Sequence, residues 1–414
     1  MIRVLHFASS FPREADDLSG IFIKRLAMCT ARTFQTYILA PDSIDSQRIE
    51  KSDDIVIFRY PYFIKKYQKL VYRDSILQNL KRSRALYFQV PFFLFFAARF
   101  FRRIVDNYRI DLVHAHWIFP QGFIAVLMKK MFALRCRIII TSHGGDIFAL
   151  RSAFFKKIKR YTLRHCDYIN AVSFPIKEKI ESDLGITDKT MVIPMGTDYD
   201  LFTGRTARPL ESDYVLFVGR LTEKKGVVYL VDAFARVCKE NPSLKLVIIG
   251  SGHQKERLRD RVEELGIQTD VIFIDSLPQR QLVPYYQHAR IFVGPSIVSS
   301  QGDTEGFGLV FVEAMLSRCP IIATRTGGIP DIVTHGETGF LVEQKRADQI
   351  ADAILTILND KKVEKKLVKN GFDCARQQFT WSAVEKKFDG LYRRVLGLNP
   401  DGFSTRPSAA KGST

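Results

Sequence analysis

The stretch YVLFVGRLTEKKGVVYLVDAFARVCKENPSLKLVIIG, residues 214–250, decides the fold. It opens and closes with a largely apolar run that ends in a glycine, at 214–219 and 244–250. Between these runs, apolar residues recur at spacings of three and four, which is typical of an amphipathic helix. Two buried strands joined by a helix predict a βαβ unit in a parallel sheet that helices cover on both faces.

The same alternation of short apolar runs and helical stretches continues in both directions along the chain. Thirteen strand candidates lie at 2–8, 36–41, 54–60, 111–116, 137–143, 168–173, 190–196, 214–219, 244–250, 271–276, 291–296, 320–325 and 339–343. Thirteen strands suit two sheets of six or seven better than one open sheet. The order therefore predicts an α/β protein with two Rossmann-like, doubly wound parallel sheets.

Domain boundaries follow from length and composition. The chain has 414 residues, and domains of about 100–200 residues are usual, so two domains are expected. The polar stretch 196–213 is the natural joint, which predicts domains at 1–197 and 198–375. In such folds ligands bind outside the carboxyl ends of the strands, and we expect them in a central cleft that the two domains face. We expect the polar tail at 398–414 to be disordered.

Composition restricts the class of protein. An apolar fraction of 46% and a charged fraction of 26% are those of a globular protein. Six scattered cysteines form no C-x-x-C pair, so they predict no zinc site. The first residues, MIRVLHFASSFPR, lack the apolar stretch and cleavage site of a signal peptide. Together these features predict free thiols and a cytoplasmic location.

Positive charge is concentrated in the first half. The net charge is +18, and residues 1–200 hold 32 Lys and Arg against 19 Asp and Glu. Residues 62–103 hold ten basic residues, one acidic residue and many aromatics. Nucleic acid, an anionic membrane or a polyanionic substrate would each explain this segment. Its apolar part, 86–101, is interrupted and too short to span a bilayer, which leaves a core helix or an interfacial helix.

The loop after the strand at 214–219 carries the first candidate site residues. Gly219 ends the strand, Arg220 follows it, and Lys225 stands three residues beyond Thr222. Cations next to flexible backbone at a strand's end suit a diphosphate, although a solvated loop would look the same. The glycines of GSG at 250–252 begin a dinucleotide fingerprint that lacks its third glycine, so we interpret them as a tight turn.

Other strand ends carry histidines. His143 follows a buried strand and precedes two glycines, which favours a place at the ligand edge over a structural role. In HAHW, 114–117, we expect one histidine to reach that edge and the other to pack, without deciding which. Gly20, after the first strand, would let a phosphate approach backbone N–H groups, though one glycine is a weak signal.

The stretch GDTEGFGLVFVEAM, 302–315, places Glu305 and Glu313 eight residues apart around a glycine-rich turn and a helix start. Free N–H groups at a helix start bind anions. Eight residues would span about 12 Å if all were helical, which matches a ligand with hydroxyls at both ends and a diphosphate between them. A glycosidase acid pair is the competing interpretation, and an unremarkable surface glutamate does not fit the apolar surroundings of Glu313.

With these motifs in place, the chain resembles the retaining nucleotide-sugar glycosyltransferases of the bacterial group 1 type, which have the GT-B fold. The hallmark is E-x(7)-E, here Glu305 to Glu313. Further matches are VGRLTEKKG (218–226), GSG (250–252), TGGIPDIV (326–333), GETGFLV (336–342), LSGIFIKRLA (18–27), DLVHAHW (111–117) and SHGGD (142–146). The resemblance covers nearly the whole chain and is most specific over 214–342.

The resemblance implies roles for residues of the second domain. Arg220 and Lys225 would bind the donor diphosphate and stabilise charge on the leaving group. Glu313 would bind the ribose hydroxyls, and Glu305 the transferred sugar. The backbone of Phe307, Gly308 and Leu309 would hold the distal phosphate and the sugar. The residue that would contact the base is Leu277.

It implies roles in the first domain as well. His143 would approach the sugar near the reacting carbon, and Gly20 would contact phosphate. The last helix, within 376–397, would cross back to the N-terminal domain. The implied chemistry keeps the anomeric configuration, and a leaving-phosphate oxygen takes the proton. It needs neither a metal nor a cofactor, because two cations and a helix start already face the diphosphate.

These implications add up to one expected function. We expect a hexosyltransferase that moves sugar from a UDP- or GDP-sugar to a glycan or polyprenyl-diphosphate-linked acceptor in surface polysaccharide synthesis. The basic segment would place it on the anionic inner face of the cell membrane, and we expect no nucleic acid partner. The alternative is a non-catalytic nucleotide- or glycan-binding protein. An oxidoreductase would need the complete glycine fingerprint.

Overall fold

The structure is a computed structural model that describes residues 1–13, 17, 19–43, 46–52, 55–72 and 76–398. The chain divides into two compact units. The first comprises Met1–Val172, Ile176–Ile193 and the described residues from Val384 on, and the second comprises Ser173–Pro175 and Pro194–Ala383. The tail for which we expect disorder lies outside the described residues, apart from Leu398.

The first unit is built on an eight-stranded sheet. Its strands are β1 (Arg3–Phe7), β2 (Gln35–Pro41), β3 (Ile49–Ser52), β4 (Ile55–Tyr60), β5 (Leu112–His116), β6 (Arg137–Ser142), β7 (Tyr168–Ala171) and β8 (Thr190–Val192). They lie in the order β3-β4-β2-β1-β5-β6-β7-β8, parallel except for the β3–β4 pair. The winding reverses between β1 and β5, so the loops after these two strands diverge and leave a crevice at their carboxyl ends.

Helices follow most strands of this unit. They are α1 (Ile21–Ala31), α2 (Ile76–Arg82), α3 (Gln89–Asn107), α4 (Phe123–Phe132), α5 (Gly145–Phe148), α6 (Ala153–His165) and α7 (Phe174–Leu184). β5 is buried at every residue. Continuous burial of this kind is expected of a strand that helices cover on both sides.

The second unit is a six-stranded, fully parallel sheet. Its strands are β9 (Tyr214–Val218), β10 (Lys245–Ile249), β11 (Val271–Ile274), β12 (Ile291–Gly294), β13 (Ile321–Thr324) and β14 (Phe340–Val342). The order β11-β10-β9-β12-β13-β14 is that of a dinucleotide-type Rossmann sheet, and its winding reverses between β9 and β12.

Several helices of the second unit pack on this sheet and bury an apolar core with it. The helices of the unit are α8 (Tyr199–Thr203), α9 (Val227–Glu240), α10 (Lys255–Glu264), α11 (Gln279–His288), α12 (Leu309–Leu316), α13 (Ala347–Asn359), α14 (Lys361–Gln378) and α15 (Trp381–Val395), whose residues from Val384 on belong to the first unit.

The predicted α/β class with two parallel sheets is confirmed, and one strand was missed. β3 has the sequence IEKS and pairs antiparallel at the sheet edge. An edge strand that faces water needs no continuous apolar run, so its sequence carries no strong strand signal. This strand makes the first sheet one larger than the six or seven strands that the pattern predicts.

α3, which contains most of the apolar segment at 86–101, has a buried face and an exposed face, and the interfacial-helix interpretation stays a prediction. Phe93 and Phe101 are buried against the sheet, whereas Phe95 is 61% exposed. Among the described residues, no helix is long and apolar enough to cross a bilayer, as the interruptions in this segment predict.

Candidate functional site

The loop after β9 lies against the loop after β10 so closely that only glycine fits. A Cβ on Gly250 would stand 1.9 Å from the Gly219 carbonyl oxygen, and one on Gly252 would stand 2.2 Å from that of Leu221. The Leu221 N–H also donates to the Ser251 carbonyl oxygen at 2.9 Å. These glycines therefore serve a tight turn, as the sequence indicates, and fix the backbone beside Arg220.

A second close approach fixes the turn at Glu223–Lys225. Gly226 has φ +60°, and a Cβ there would stand 2.0 Å from the Pro295 carbonyl oxygen. The N–H of Ile297 donates to the Lys224 carbonyl oxygen at 2.8 Å. Since β9 and β12 flank the point where the winding reverses, the loops after both strands are joined at the place where ligands bind such sheets.

The two predicted charges of this crevice contact each other directly. The Lys225 ammonium donates to Oε2 of Glu305 at 2.5 Å, and each side chain is 14% exposed. Burial opposes ionisation of Glu305, but Lys225, Lys224 and Arg220 together hold its pKa below the ordinary value. Arg220 itself is exposed. The crevice thus presents an ionised acid beside a cluster of cations.

The backbone of Glu305 is held by a turn from another strand end. The N–H of Gly328 donates to the Glu305 carbonyl oxygen at 3.0 Å. A Cβ on Gly327, where φ is +52°, would stand 2.0 Å from the same oxygen. The hydroxyls of Thr304 and Thr326 are hydrogen-bonded at 3.0 Å. The turn after β13 therefore sets the position of Glu305.

The helix after Glu305 begins later than the spacing estimate assumes. α12 begins at Leu309, and Gly308 before it has φ +101°. Residues 305–308 are therefore not helical, and the rise of 1.5 Å per residue does not measure the separation of the two acids. Phe307 is buried and packs on Phe379. Free N–H groups at the start of α12 follow directly after the Glu305 turn.

Glu313 lies on α12 and is only 7% exposed. Gln279 donates to its Oε1 at 2.8 Å, and the Tyr286 hydroxyl donates to its Oε2 at 3.0 Å. Burial raises the pKa of Glu313 above the ordinary value, although both hydrogen bonds oppose the rise. Half-buried Leu277 lies two residues before Gln279, in the loop between β11 and α11.

Sequence reasoning missed the residues that hold the two acids. Gln279 and Tyr286 are seven residues apart on α11 and so share one helix face, but a polar residue and a tyrosine at that spacing are common on any helix. The glycines of TGGIP at 326–330 contribute to the resemblance, yet nothing local in them shows that they contact Glu305.

In the first unit, the structure brings Gly20 and His143 into one neighbourhood. Gly20 precedes α1 with φ +70°, and a Cβ there would stand 2.5 Å from the Ser10 carbonyl oxygen. The ring of Phe22, two residues on, lies 4.8 Å from the half-buried His143 ring, and the Trp117 ring lies 5.2 Å from it. Trp117 has φ +73°, an unusual value for a residue with a side chain.

The expected division of roles between His114 and His116 is wrong, because both are fully buried. They are two residues apart on β5, and strand geometry places such residues on the same face. His114 bonds the Tyr392 hydroxyl and the Thr141 hydroxyl, both at 2.6 Å. His116 bonds His143 at 3.2 Å.

A third buried histidine, His6 on β1, completes a group that the sequence did not indicate. Ring nitrogens of His6, His114 and His116 all lie within 4.8 Å of one another, a spacing that a metal ion could use. Each of these nitrogens already has a hydrogen-bond partner. The prediction that the protein uses no metal stays a prediction.

At one edge of its sheet, the second unit therefore holds the Lys225–Glu305 pair, the start of α12 and the buried Glu313. Cations and free N–H groups suit phosphate, and carboxylates suit vicinal hydroxyls. This set of groups is suited to binding one elongated, doubly charged ligand with hydroxyls on either side of its charge.

Comparison with protein families gives two matches. Residues 200–373 match the family described as "Glycosyl transferases group 1", and residues 23–201 match "Glycosyltransferase Family 4". The two matches together span most of both units.

Individual relatives agree with these matches. The chain is 31% identical over 325 residues to the D-inositol 3-phosphate glycosyltransferase of Corynebacterium efficiens, which covers 70% of this chain and 73% of the relative. It is 26% identical over 303 residues to a GDP-mannose-dependent alpha-(1-6)-phosphatidylinositol monomannoside mannosyltransferase of Mycobacterium tuberculosis, covering 70% and 78%.

Solved structures show the same fold. Anabaena HepE in complex with UDP and glucose superposes with a TM-score of 0.71 at 17% identity, over 95% of this chain and 99% of that one. With the two parallel-sheet units described above, this likeness confirms the predicted GT-B fold class.

Proposed function

The chain belongs to the group 1 glycosyltransferases, and on that basis we propose that it moves a hexose from a nucleotide diphosphate sugar to a lipid-linked saccharide. The observation that carries this proposal is the Lys225–Glu305 pair beside the start of α12. A cation and an anion at that place match the two ends of a sugar–phosphate linkage.

In the proposed complex, the donor lies along the edge of the second sheet. Lys225 and exposed Arg220 bind the diphosphate, with Gly219 and the backbone of Phe307, Gly308 and Leu309 close to it. Lys225 then donates hydrogen bonds both to the phosphate and to Glu305. The Glu305 carboxylate is thereby held toward the sugar hydroxyls.

The other donor contacts complete the assignment. Glu313, held by Gln279 and Tyr286, accepts hydrogen bonds from the ribose, and Leu277 contacts the base. In the first unit, His143 contacts the transferred sugar and Gly20 contacts phosphate.

The proposed reaction retains the anomeric configuration. The acceptor oxygen bonds to the anomeric carbon on the face from which the diphosphate leaves, and a diphosphate oxygen takes the hydroxyl proton. Lys225 and Arg220 stabilise the charge that grows on the leaving group. Neither a metal nor a cofactor is part of this proposal.

The donor base stays open between UDP and GDP. One relative is named as GDP-mannose-dependent, and one structure of the same fold holds UDP. A thermal-shift panel of UDP, GDP and their sugars separates the two, since a ligand that binds only the folded state raises Tm by an amount that grows with the ratio of its concentration to its Kd.

We further propose that the acceptor is presented at the cytoplasmic face of the cell membrane, in surface polysaccharide synthesis. The support is a basic–aromatic surface of the first unit, which we define as Ile64, Lys65, Lys66, Tyr67, Lys69, Lys81, Arg82, Arg84, Tyr87, Phe88, Phe92 and Phe95. Phe63 contacts both Phe88 and Phe92, so two separate segments form one surface. Phe88 is 68% exposed, and exposed rings among lysines suit an anionic leaflet.

The experiment that tests catalysis against binding alone uses Glu305→Ala and Lys225→Ala. Wild-type protein is expected to release nucleoside diphosphate from one donor, slowly by hydrolysis without acceptor and faster with it. Both variants are expected to lose this turnover. Binding of a nucleotide sugar without any turnover by the wild type would instead support the non-catalytic alternative.

A further inference from the structure

Three histidines and a threonine form a continuous hydrogen-bonded chain in the first unit. The Thr30 hydroxyl of α1 bonds Nε2 of His6 at 3.2 Å. Nδ1 of His6 bonds Nε2 of His116 at 3.1 Å. Nδ1 of His116 bonds Nε2 of His143 at 3.2 Å. The chain therefore runs from a helix hydroxyl, across β1 and β5, to the candidate site residue after β6.

The ring geometry shows that these contacts are in-plane hydrogen bonds. The His6 and His116 rings are inclined by 17°, and the His116 and His143 rings by 22°. Both pairs have centroids 5.5 Å apart, which is close to the nitrogen–nitrogen distance plus two ring radii. Face-to-face stacking would bring the centroids nearer, so the nitrogens point at each other along the ring planes.

All three rings are uncharged at neutral pH. Burial lowers the pKa of His6 and of His143 to about 3, and holds that of His116 well below its ordinary value. A neutral imidazole has one N–H donor and one acceptor nitrogen. In such a chain, the direction of the hydrogen bond at one end consequently fixes the direction of every other bond.

Thr30 sets that direction. Its hydroxyl donates to the Ala27 carbonyl oxygen at 3.1 Å, so its single proton is used there and its oxygen accepts from Nε2–H of His6. Nδ1 of His6 must then accept from His116, and Nδ1 of His116 must accept from His143. The opposite direction would give up the bond from Thr30 to Ala27.

We infer that Thr30, His6 and His116 are positioning residues that hold His143 as the tautomer protonated on Nε2, which leaves its Nδ1 as a hydrogen-bond acceptor for a ligand hydroxyl. Nδ1 of His143 makes no hydrogen bond within the part of the chain that the structure describes, and the ring is half-buried. The binding of a ligand hydroxyl rests on the proposed function, whereas the tautomer is a property of the free protein.

Nitrogen-15 NMR of the imidazoles in the free, unliganded protein tests the inference. The chain has eight histidines, and the ring signals of His143 are assigned by their loss in His143→Gln. The inference predicts protonated Nε2 and bare Nδ1 in the wild type. A protonated Nδ1 would overturn it whatever the protein's activity, so this result is independent of the proposed function.

A substitution at the far end of the chain gives the sharper result. Thr30→Val keeps the shape but removes the acceptor, so we expect the Nδ1–H form of His143 to become populated. Thr30→Ser keeps the hydroxyl and is expected to retain the wild-type tautomer. Thr162→Val is the matched control, because Thr162 is another buried helix threonine that bonds a carbonyl of its own helix. An unchanged His143 spectrum in Thr30→Val would contradict the inference.

Two further measurements distinguish the positioning role of Thr30 from a purely structural role and from a metal site. Once a donor is known, Thr30→Val is expected to lower kcat about 10-fold with little change in donor KM, while Thr162→Val keeps both. Elemental analysis and zinc titration examine the metal alternative. One tightly bound zinc per chain, with loss of the ring N–H signals of His6 and His116, would overturn the hydrogen-bonded chain.

Discussion

At the scale of single residues, the two acids of the second unit occupy opposite electrostatic environments. Glu305 is ionised beside Lys225, and its pKa is lowered despite burial. Glu313 has two neutral donors and no cation bonded to it among the described residues, and burial raises its pKa. A carboxylate that is costly to keep ionised in the free protein gains from hydroxyl donors, and the ribose would supply them.

The two acids should therefore respond oppositely to neutral replacement. At neutral pH we expect Glu313→Gln to raise Tm, because it removes a buried charge, and Glu305→Gln to lower it, because Lys225 loses its partner. Thermal unfolding of both variants and the wild type at about pH 7.5 and about pH 4 measures this.

The pH dependence of the two effects follows from the pKa directions. Because the pKa of Glu313 is raised in the folded state, its ionisation destabilises the wild type only above the unfolded-state pKa of 4.5. The Tm increase caused by Glu313→Gln should therefore vanish at about pH 4. The lowered pKa of Glu305 means that its stabilisation persists until the pH falls below 4.5. Equal Tm changes of one sign for both variants would contradict this account.

At the scale of elements, the site depends on strand-end turns packed at backbone distance. Gly226, Gly250, Gly252, Gly327 and Gly328 each allow one loop to touch the backbone of another. The turn after β13 contributes no side chain to the proposed ligand contacts, but it holds the backbone of Glu305. The position of Glu305 is consequently set by glycine contacts from this turn.

The glycine of that turn offers a matched pair of variants. Gly327→Ala places a Cβ 2.0 Å from the Glu305 carbonyl oxygen, whereas Gly336, at a similar φ of +74°, has nothing within 4 Å. Both alanines should cost about 1–2 kcal/mol from the left-handed backbone alone. Only Gly327→Ala is expected to lose donor turnover as well, measured as kcat/KM. Equal activity of the two variants would show that the turn does not position Glu305.

The proposed membrane contact of the basic–aromatic surface can be tested by vesicle flotation. We expect the protein to float with vesicles that contain anionic lipid and not with neutral vesicles, because several lysines lie beside exposed rings. Replacing Lys65, Lys66 and Lys69 together by Gln should reduce flotation at low salt.

The matched control for flotation is a triple change on the second unit. Lys362, Lys365 and Lys369 are exposed on α14, so replacing them by Gln changes the net charge equally. Loss of flotation in both triple variants would indicate a net-charge effect, and no flotation of the wild type would refute the membrane proposal.

At the scale of the whole molecule, the fold was predictable and the support of the site was not. Buried parallel strands carry continuous apolar runs, so β1, β5 and β9 are evident from the sequence alone, whereas the polar edge strand β3 is not. Glu305 and Glu313 stand out because acids are rare in apolar or glycine-rich surroundings. Their partners come from α11, which carries Gln279 and Tyr286, and from the turn after β13, which carries Gly328, and only the folded unit brings them near.

The hydrogen-bond partners of the histidines could not be predicted from the sequence either. Sequence spacing placed His114 and His116 after one strand, and period-two geometry alone predicts that they share a face. It does not show that His6 on the neighbouring strand and Thr30 on α1 complete a hydrogen-bonded path to His143. That path depends on the parallel register in which His6 pairs with His114.

The central claim is that Lys225, paired with Glu305, acts on the diphosphate of a sugar donor. The direct measurement is release of nucleoside diphosphate from a UDP- or GDP-sugar by the wild type, Lys225→Met and Lys224→Met. Lys224 is the matched control, because it lies in the same turn but pairs with Asp303 at 3.1 Å. The account predicts a loss of about 100-fold or more for Lys225→Met and a much smaller loss for Lys224→Met, because Lys224 adds positive charge near Glu305 but does not bond its carboxylate. Equal release by both variants, with their Tm unchanged, would contradict it.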